Sequence, residues 1–323
     1  MALLEVKNLA IHIKHGEKRL EAVKGIDFCI DEGEIVALAG ESGSGKTLTG
    51  LSLLQLLPDA AEINGGTITF DSRVLNTSGE KELRAIRGKD ISMIFQEPRQ
   101  SLNPLLRCGP QITETPELHG EKNKKTSQKA ALEMLALMGF IDPEKIFRSY
   151  PHQLSPGMCQ RVMIAIAAIC GPKLLVADEP VNSLDSDTQR QVLDLLVRMN
   201  RERNTAILYI THDLDGIRNF CSRIMIMYCG KIMEEGPAEM VLSAPAHPYT
   251  QGLLNAMPSG IRRGSRLPDM AGRSPPIEEQ ISGCPFAGRC SKVQERCRVS
   301  FPQKTDLGDS HAAYCYNIGK PNV

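Results

Sequence analysis

Nine consecutive residues, Ala39-Gly40-Glu41-Ser42-Gly43-Ser44-Gly45-Lys46-Thr47, carry the most specific chemistry in the chain. They match the phosphate-binding pattern G-x-x-x-x-G-K-[ST]. Gly40, Gly43 and Gly45 open backbone conformations closed to residues with a Cβ, so successive N–H groups through Ser42 and Ser44 can turn inward as an anion nest. Lys46 then reaches the β- and γ-phosphates, and the Thr47 hydroxyl ligates Mg²⁺. A second stretch, Leu174-Leu175-Val176-Ala177-Asp178-Glu179, ends an apolar run in two carboxylates. Asp178 suits support of Mg²⁺, and Glu179 suits a general base that takes a proton from an attacking water.

The elements that must position these groups follow from local pattern. The apolar residues 35–39 read as a strand and residues 48–57 as a helix, so the loop sits at a helix N-terminus whose dipole favours anions. Pro58 stops that helix. Before it, residues 3–13 alternate as a strand with Leu9, Ile11 and Ile13 on one face, and a second strand spans 22–30. Asn64-Gly65-Gly66 predicts a turn into a short strand at 67–70. Residues 91–95 form a buried strand ending at Gln96, and residues 97–150 turn helical, interrupted by Pro98, Pro104, Pro110 and Pro116. Ser155 is an N-cap with Pro156 at the first helical position, and residues 162–169 continue as a buried helix. Strands at 173–177 and 205–210 flank a helix at 186–204; a hairpin over 223–235 turns at Cys229-Gly230.

Composition narrows the setting. The formal net charge of the 323 residues is zero, which leaves no global field for nucleic acid or an anionic membrane surface. The longest apolar stretch, residues 162–170, is far short of the roughly 20 residues that span a bilayer. The first residues lack a basic region followed by an apolar core, so a cytosolic location is expected. There, ten cysteines read as thiols or metal ligands. Cys29, Cys108, Cys159, Cys170, Cys221 and Cys229 are scattered singly; Cys284, Cys290, Cys297 and Cys315 crowd together.

Further stretches share the phosphate loop's order: Gln96 after its strand, Leu154-Ser155-Pro156-Gly157-Met158, Ser183-Leu184-Asp185, and His212 in Tyr209-Ile210-Thr211-His212-Asp213. Over residues 1–257 this succession resembles the ATPase subunits of ATP-binding cassette (ABC) transporters. The resemblance implies an α/β fold in which a RecA-like P-loop NTPase core carries an antiparallel β subdomain and a helical subdomain, at about 97–158. Two such domains meet head to tail, each lending its signature helix, here Ser155 and Gly157, to the other's ATP. It also implies that Gln96 touches the metal and the attacking water, that His212 contacts the γ-phosphate, and that Asp185 lies at the dimer seam.

Three departures from the family pattern stand out. Pro156 replaces the usual signature glycine, which removes one backbone N–H beside the partner's γ-phosphate; the change either weakens one composite site or is silent. The position that stacks adenine in many members is Ile13 here, with Val23 nearby, so a ring–ring contribution of about 0.5–1.5 kcal/mol is missing. Cys159 stands where a polar or basic residue is common.

Phe95-Gln96-Glu97-Pro98, Ser101-Leu102-Asn103-Pro104, His247-Pro248-Tyr249-Thr250 and Gly283-Cys284-Pro285-Phe286 resemble the oligopeptide/dipeptide importer branch, which nickel importers share. These stretches are expected to mark the branch and to lie outside the hydrolytic machinery. Residues 258–276, rich in Pro, Gly, Ser and Arg (Arg262, Arg263, Arg266, Arg273), read as a linker to a Cys-rich extension at 277–323. Its four cysteines, separated by five, six and seventeen residues, suit a tetrahedral Zn²⁺ or a [4Fe-4S] cluster. The resemblance favours the cluster, and the few large apolar residues of 277–323 make a cross-linking centre physically sensible.

The combined expectation is an ATP- and Mg²⁺-dependent ATPase subunit on the cytoplasmic face of the cell membrane, powering a peptide importer or, alternatively, a nickel-chelate importer. Its expected partners are a second ATPase subunit, two transmembrane permeases and, indirectly, an extracytoplasmic solute-binding protein. Two rivals are a soluble ABC ATPase acting on DNA or ribosomes, and a regulatory subunit that binds ATP with little turnover. The first typically carries a long coiled-coil insertion or two cassettes, and this sequence has neither.

Overall fold

The computed structural model describes residues 2–182, 184–257, 270–279 and 281–318; Ser183 and the linker residues Arg262, Arg263 and Arg266 lie outside them. In chain order the elements begin with β1 (Ala2–His15), β2 (Lys18–Asp31), β3 (Ile35–Ala39), α1 (Lys46–Leu53), β4 (Ala61–Phe70), β5 (Arg73–Val74), α2 (Glu80–Ile86) and β6 (Ile91–Ile94). There follow α3 (Pro98–Ser101), α4 (Cys108–Leu118), α5 (Lys124–Leu137), α6 (Pro143–Arg148), α7 (Pro156–Ala168), β7 (Leu174–Asp178) and α8 (Ser186–Arg203). After these come β8 (Ala206–Thr211), β9 (Arg223–Tyr228), β10 (Lys231–Pro237), α9 (Ala238–Ser243), α10 (Pro248–Asn255), α11 (Glu295–Val299), β11 (Thr305–Gly308) and β12 (His311–Ala313).

The chain divides into two compact units. The first comprises Leu4–Cys29, Ile35–Asn76 and the described residues from Ile210 on; the second comprises Ile30–Glu34 and Thr77–Tyr209 with the opening residues.

In the first unit an antiparallel sheet runs β2-β1-β4-β5. Alternation in β1 buries Leu4, Val6, Leu9 and Ile11, each at most 1% exposed. The turn predicted at Asn64-Gly65-Gly66 does not form, and β4 runs straight through it opposite β1. The reason is a register shift between Lys7 and Ala10 of β1. Gly66, at φ 88°, fits against that bulge, where a Cβ would stand 2.3 Å from the Asn8 carbonyl oxygen. The other strands of this unit run β11-β12-β10-β9-β3. Parallel pairing of β3 with β9 explains why all five residues of β3 are buried. The β9–β10 hairpin turns at Cys229 and Gly230, at φ 44° and 83°, the two positive values a tight hairpin turn needs.

The cysteine-bearing segment was expected to lack a core of its own. It solves this by pairing: β12 adds antiparallel to β10, Glu234 opposite Ala313, and β11 adds to β12. Residues 305–313 thereby extend the sheet that contains the phosphate-loop strand.

In the second unit the strands run β8-β7-β6, with β6 parallel to β7, Ile91 opposite Leu174. The helical stretch is less broken than its prolines suggested. Pro98 opens α3, and Pro110 falls in the first turn of α4, where a missing N–H costs no intrahelical bond. Asn123, Asp142, Ser155 and Asp185 cap α5, α6, α7 and α8 with their side-chain oxygens. Parallel strands alternating with helices, together with an antiparallel sheet, make an α/β architecture.

Candidate functional site

The first unit holds the phosphate loop, between β3 and α1. Gly40, Gly43 and Gly45 sit at φ 155°, 77° and 104°, outside the range comfortable for residues with a Cβ. Two of them also have no room: a Cβ on Gly40 would stand 2.1 Å from the Met227 carbonyl oxygen, and one on Gly45 would stand 3.0 Å from that of Ala22. The Gly230 N–H donates to the Ser44 carbonyl at 2.9 Å, tying the loop to the β9–β10 turn. Lys46, 5% exposed, folds back over the loop, its Nζ donating to the Gly40 and Glu41 carbonyls at 2.8 Å each and lying 3.4 Å from Ser44 Oγ. Ser42, Gly43 and Thr47 are exposed. This is a cradle of positive-φ backbone with a buried ammonium at its rim, chemistry that suits polyphosphate.

Also in this unit, Ile13 keeps partial exposure, whereas Val23 is fully buried beneath the loop, its Cγ2 3.2 Å from where a Gly45 Cβ would stand. His212 is exposed at the end of β8, in a turn fixed by the Asp213 N–H donating to Thr211 Oγ1 at 2.9 Å.

In the second unit β7 delivers Asp178, 1% exposed, and then Glu179 at φ 46°. A non-glycine residue in that region costs about 1–3 kcal/mol and is held there by its surroundings. The surroundings are two amides: Gln96 Nε2 donates to Glu179 Oε2 at 3.1 Å, and Asn182 Nδ2 donates to the same oxygen. No motif marks Asn182, although a residue three positions after a strand-ending carboxylate is placed to turn back on it. On α7, Ser155 Oγ accepts from the Met158 N–H at 3.3 Å. A Cβ on Gly157 would meet Thr188 Cγ2 at 3.2 Å, and Thr188 donates through its N–H and Oγ1 to Asp185 at 2.9 and 2.7 Å. The Thr188 N–H, with its hydroxyl, holds the Asp185 carboxyl below the usual carboxylate range. Gln96 thus joins Glu179, and Gly157 lies close to Thr188, which holds Asp185.

The branch-marking stretches were expected to stand apart from the nucleotide chemistry. That expectation fails for three of them: Gln96, in the first stretch, donates to Glu179, and two more bear on the phosphate loop. Within the first unit the Glu41 N–H donates to Tyr249 Oη at 2.9 Å, and Arg289 Nη1 and Ser274 Oγ donate to Glu41 Oε2 at 2.8 and 2.7 Å. Phe286 packs its ring against Tyr228 and Tyr249, with centroids 5.6 and 5.3 Å apart. Burial by itself raises the Glu41 carboxyl, but the hydrogen bonds from Arg289 and Ser274 and the Arg289 charge prevail and bring it below its ordinary value.

Cys284, Cys290, Cys297 and Cys315 line one small cavity with Phe286 and His247. Burial, with the neighbouring thiols adding to it, pushes the Cys284 thiol up to about 12. Thiolate sulfur is the ligand type that zinc and iron–sulfur clusters take. Among the described residues, however, no group of three or more His, Cys, Asp or Glu side chains is arranged to hold a single metal ion. Of the scattered cysteines, burial pushes Cys108 and Cys229 up to about 11 and Cys221 to about 12, which marks them as unreactive thiols.

Residues 23–182 match the family model described as ABC transporter, and residues 233–297 match that described as oligopeptide/dipeptide transporter, C-terminal region. The chain is 42% identical over 315 residues to the oligopeptide transport ATP-binding protein AppD of Bacillus subtilis, covering 97% of this chain and 96% of that protein. It is 38% identical over 327 residues to the dipeptide transport ATP-binding protein DppD of Escherichia coli, with both chains covered in full. Among solved structures, the ATP-binding cassette MJ0796, a dimer in a post-hydrolysis state bound to ADP and Pi, aligns with a TM-score of 0.67 at 30% identity, over 73% of this chain and 99% of that one.

Proposed function

The chain belongs to the ABC transporter family, and from that membership we propose that it is the ATP-hydrolysing subunit that powers a peptide importer. The observation that carries the ATPase reading is the phosphate loop, whose glycines are demanded by backbone geometry and whose Lys46 is already seated on the loop. In this reading residues 40–47 bind the phosphates, with Lys46 leaving the Gly40 and Glu41 carbonyls for the β- and γ-phosphates. Thr47 and Gln96, with support from Asp178, would hold Mg²⁺, which would supply charge neutralisation at the phosphates. Glu179 takes the proton from the water that attacks in line, His212 contacts the γ-phosphate, and Ile13 offers apolar contact to the base. Ser155, Gly157 and Asp185 serve the ATP of a second ATPase subunit.

Peptide cargo is supported by likeness to oligopeptide and dipeptide transport proteins over essentially the whole chain. The membership implies two permease subunits and a peripheral position on the cytoplasmic face of the cell membrane. No helix among the described residues is long and apolar enough to cross a membrane. Leu105 and Leu118, 83% and 77% exposed in the helical segment, are apolar surface suited to permease contact. The decisive experiment reconstitutes the chain with its permeases, second ATPase and receptor in vesicles. ATP-dependent uptake of labelled di- or oligopeptides is expected. Uptake of a nickel chelate with no peptide uptake would replace the cargo reading.

Two further results are expected. Restoring glycine in Pro156→Gly returns a backbone N–H to the signature and should raise steady-state ATP turnover of the complex about twofold; unchanged turnover would show that the proline is silent. For the thiols, the protein purified without oxygen should carry iron and a broad visible absorbance, both lost in Cys297→Ser. Stoichiometric zinc with no iron would assign the site to zinc, and neither metal would leave four free thiols and overturn the cluster reading.

A further inference from the structure

Glu41 is held more tightly than a variable position of a phosphate loop requires. Its carbonyl accepts from Lys46 Nζ at 2.8 Å, and its N–H donates to Tyr249 Oη at 2.9 Å. Its carboxylate receives Arg289 Nη1 at 2.8 Å and Ser274 Oγ at 2.7 Å. Apart from Lys46, every one of these partners lies beyond residue 240, and Arg289 belongs to the cysteine-bearing extension.

Arg289 is not a casual surface partner. Its side chain is 8% exposed against 27% for Glu41. Its Nε donates to the Ala271 carbonyl at 3.2 Å, its Nη1 lies 3.2 Å from Tyr228 Oη, and its guanidinium stands over the rings of Tyr228 and Phe286, 5.8 Å from each centroid. The turn that carries it is closed by the Ala287 N–H donating to the Cys284 carbonyl and the Arg289 N–H donating to that of Phe286, both at 3.0 Å. The Cys284 N–H in turn donates to the Cys297 carbonyl at 2.7 Å. An exposed ion pair contributes little, but a desolvated arginine held in one rotamer loses little entropy on pairing and can fix its partner's backbone.

We propose that Arg289 is a positioning residue for the nucleotide site, through which the cysteine-bearing extension sets the affinity of the phosphate loop for ATP. The inference rests on the reading of residues 40–47 as the ATP cradle. With Glu41 clamped at its N–H and its carboxylate, the peptide carbonyl that Lys46 must leave for phosphate stays in place, and the loop is preorganised before ATP arrives. Without the clamp, binding must also order the loop, and affinity falls by that cost. Arg289 is not among the residues assigned to the phosphates or the attacking water, and it acts through Glu41, so the chemical step should be unaffected.

The test uses the full chain and the fluorescent nucleotide MANT-ATP, with ATP hydrolysis measured on the reconstituted complex. Arg289→Ala should weaken MANT-ATP binding threefold to tenfold and raise KM for ATP alike, leaving kcat within twofold. Arg289→Lys, which keeps the charge but not the Nε bond to Ala271 or the stacked plane, should recover part of the loss. Glu41→Gln should weaken binding similarly, and the double variant Glu41→Gln/Arg289→Ala should be no worse than either single one, because both remove one interaction. Additive losses, unchanged binding in Arg289→Ala, or a loss that follows the melting temperature and is not recovered by lysine would each overturn the proposal. Should Arg289→Ala fail to fold, Arg289→Lys and Glu41→Gln still decide it. A wild-type chain that binds no MANT-ATP would refute the cradle reading itself, a result distinct from all of these.

Discussion

Glu179→Gln should cut ATP turnover by the reconstituted complex about 100- to 10,000-fold while leaving ATP binding near wild type. The glutamine is isosteric, and its side-chain oxygen can still accept from Gln96 Nε2 and Asn182 Nδ2, so the geometry at φ 46° should persist. What it cannot do is accept the proton of an attacking water. Chemistry should therefore stop with ATP bound, and the variant should accumulate as an ATP-loaded dimer on gel filtration. Turnover at the wild-type rate would remove Glu179 from the role of base. Asn182→Ala is a milder companion, since it strips one of the two amides that orient the carboxylate and leaves the carboxylate itself.

The second large effect is expected from Gly40→Ala. Its Cβ would stand 2.1 Å from the Met227 carbonyl oxygen, a backbone atom of β9 that no rotamer change can move. Either the loop or the strand must shift, at an overpacking cost of about 1–3 kcal/mol. As about 1.4 kcal/mol is tenfold in affinity, MANT-ATP binding should weaken tenfold or more, with a lowered melting temperature. Gly43→Ala is the control. Nothing lies within 4 Å of its Cβ, and it meets only the backbone penalty of φ 77°. It should lose distinctly less affinity, and equal losses at the two positions would show that conformation alone governs the loop.

These two positions differ in how far the sequence reveals them. Gly40 is a glycine that the motif fixes, whereas Gly43 falls on a variable position; only the approach of β9 shows that Gly40 is a packing constraint as well. Asn64-Gly65-Gly66 shows the opposite failure. Its composition signals a turn, but a bulge in β1, more than fifty residues earlier, turns Gly66 into a strand residue that lets two backbones close on each other.

What the sequence determined by itself was everything encoded at short range. The phosphate loop with its flanking strand and helix, the carboxylates closing β7, the Ser155 cap with Pro156 behind it and the turn at Cys229-Gly230 all follow from backbone preferences and hydrophobic period over a few residues. The tertiary structure alone decided which distant residues hold the loop. Glu41 meets Tyr249, Ser274 and Arg289 across 208, 233 and 248 residues of chain, and the segment at 305–313 finds its core by pairing with β10. Such contacts leave no periodic trace, because burial and hydrogen bonding select them only once the strands have brought both partners to one place.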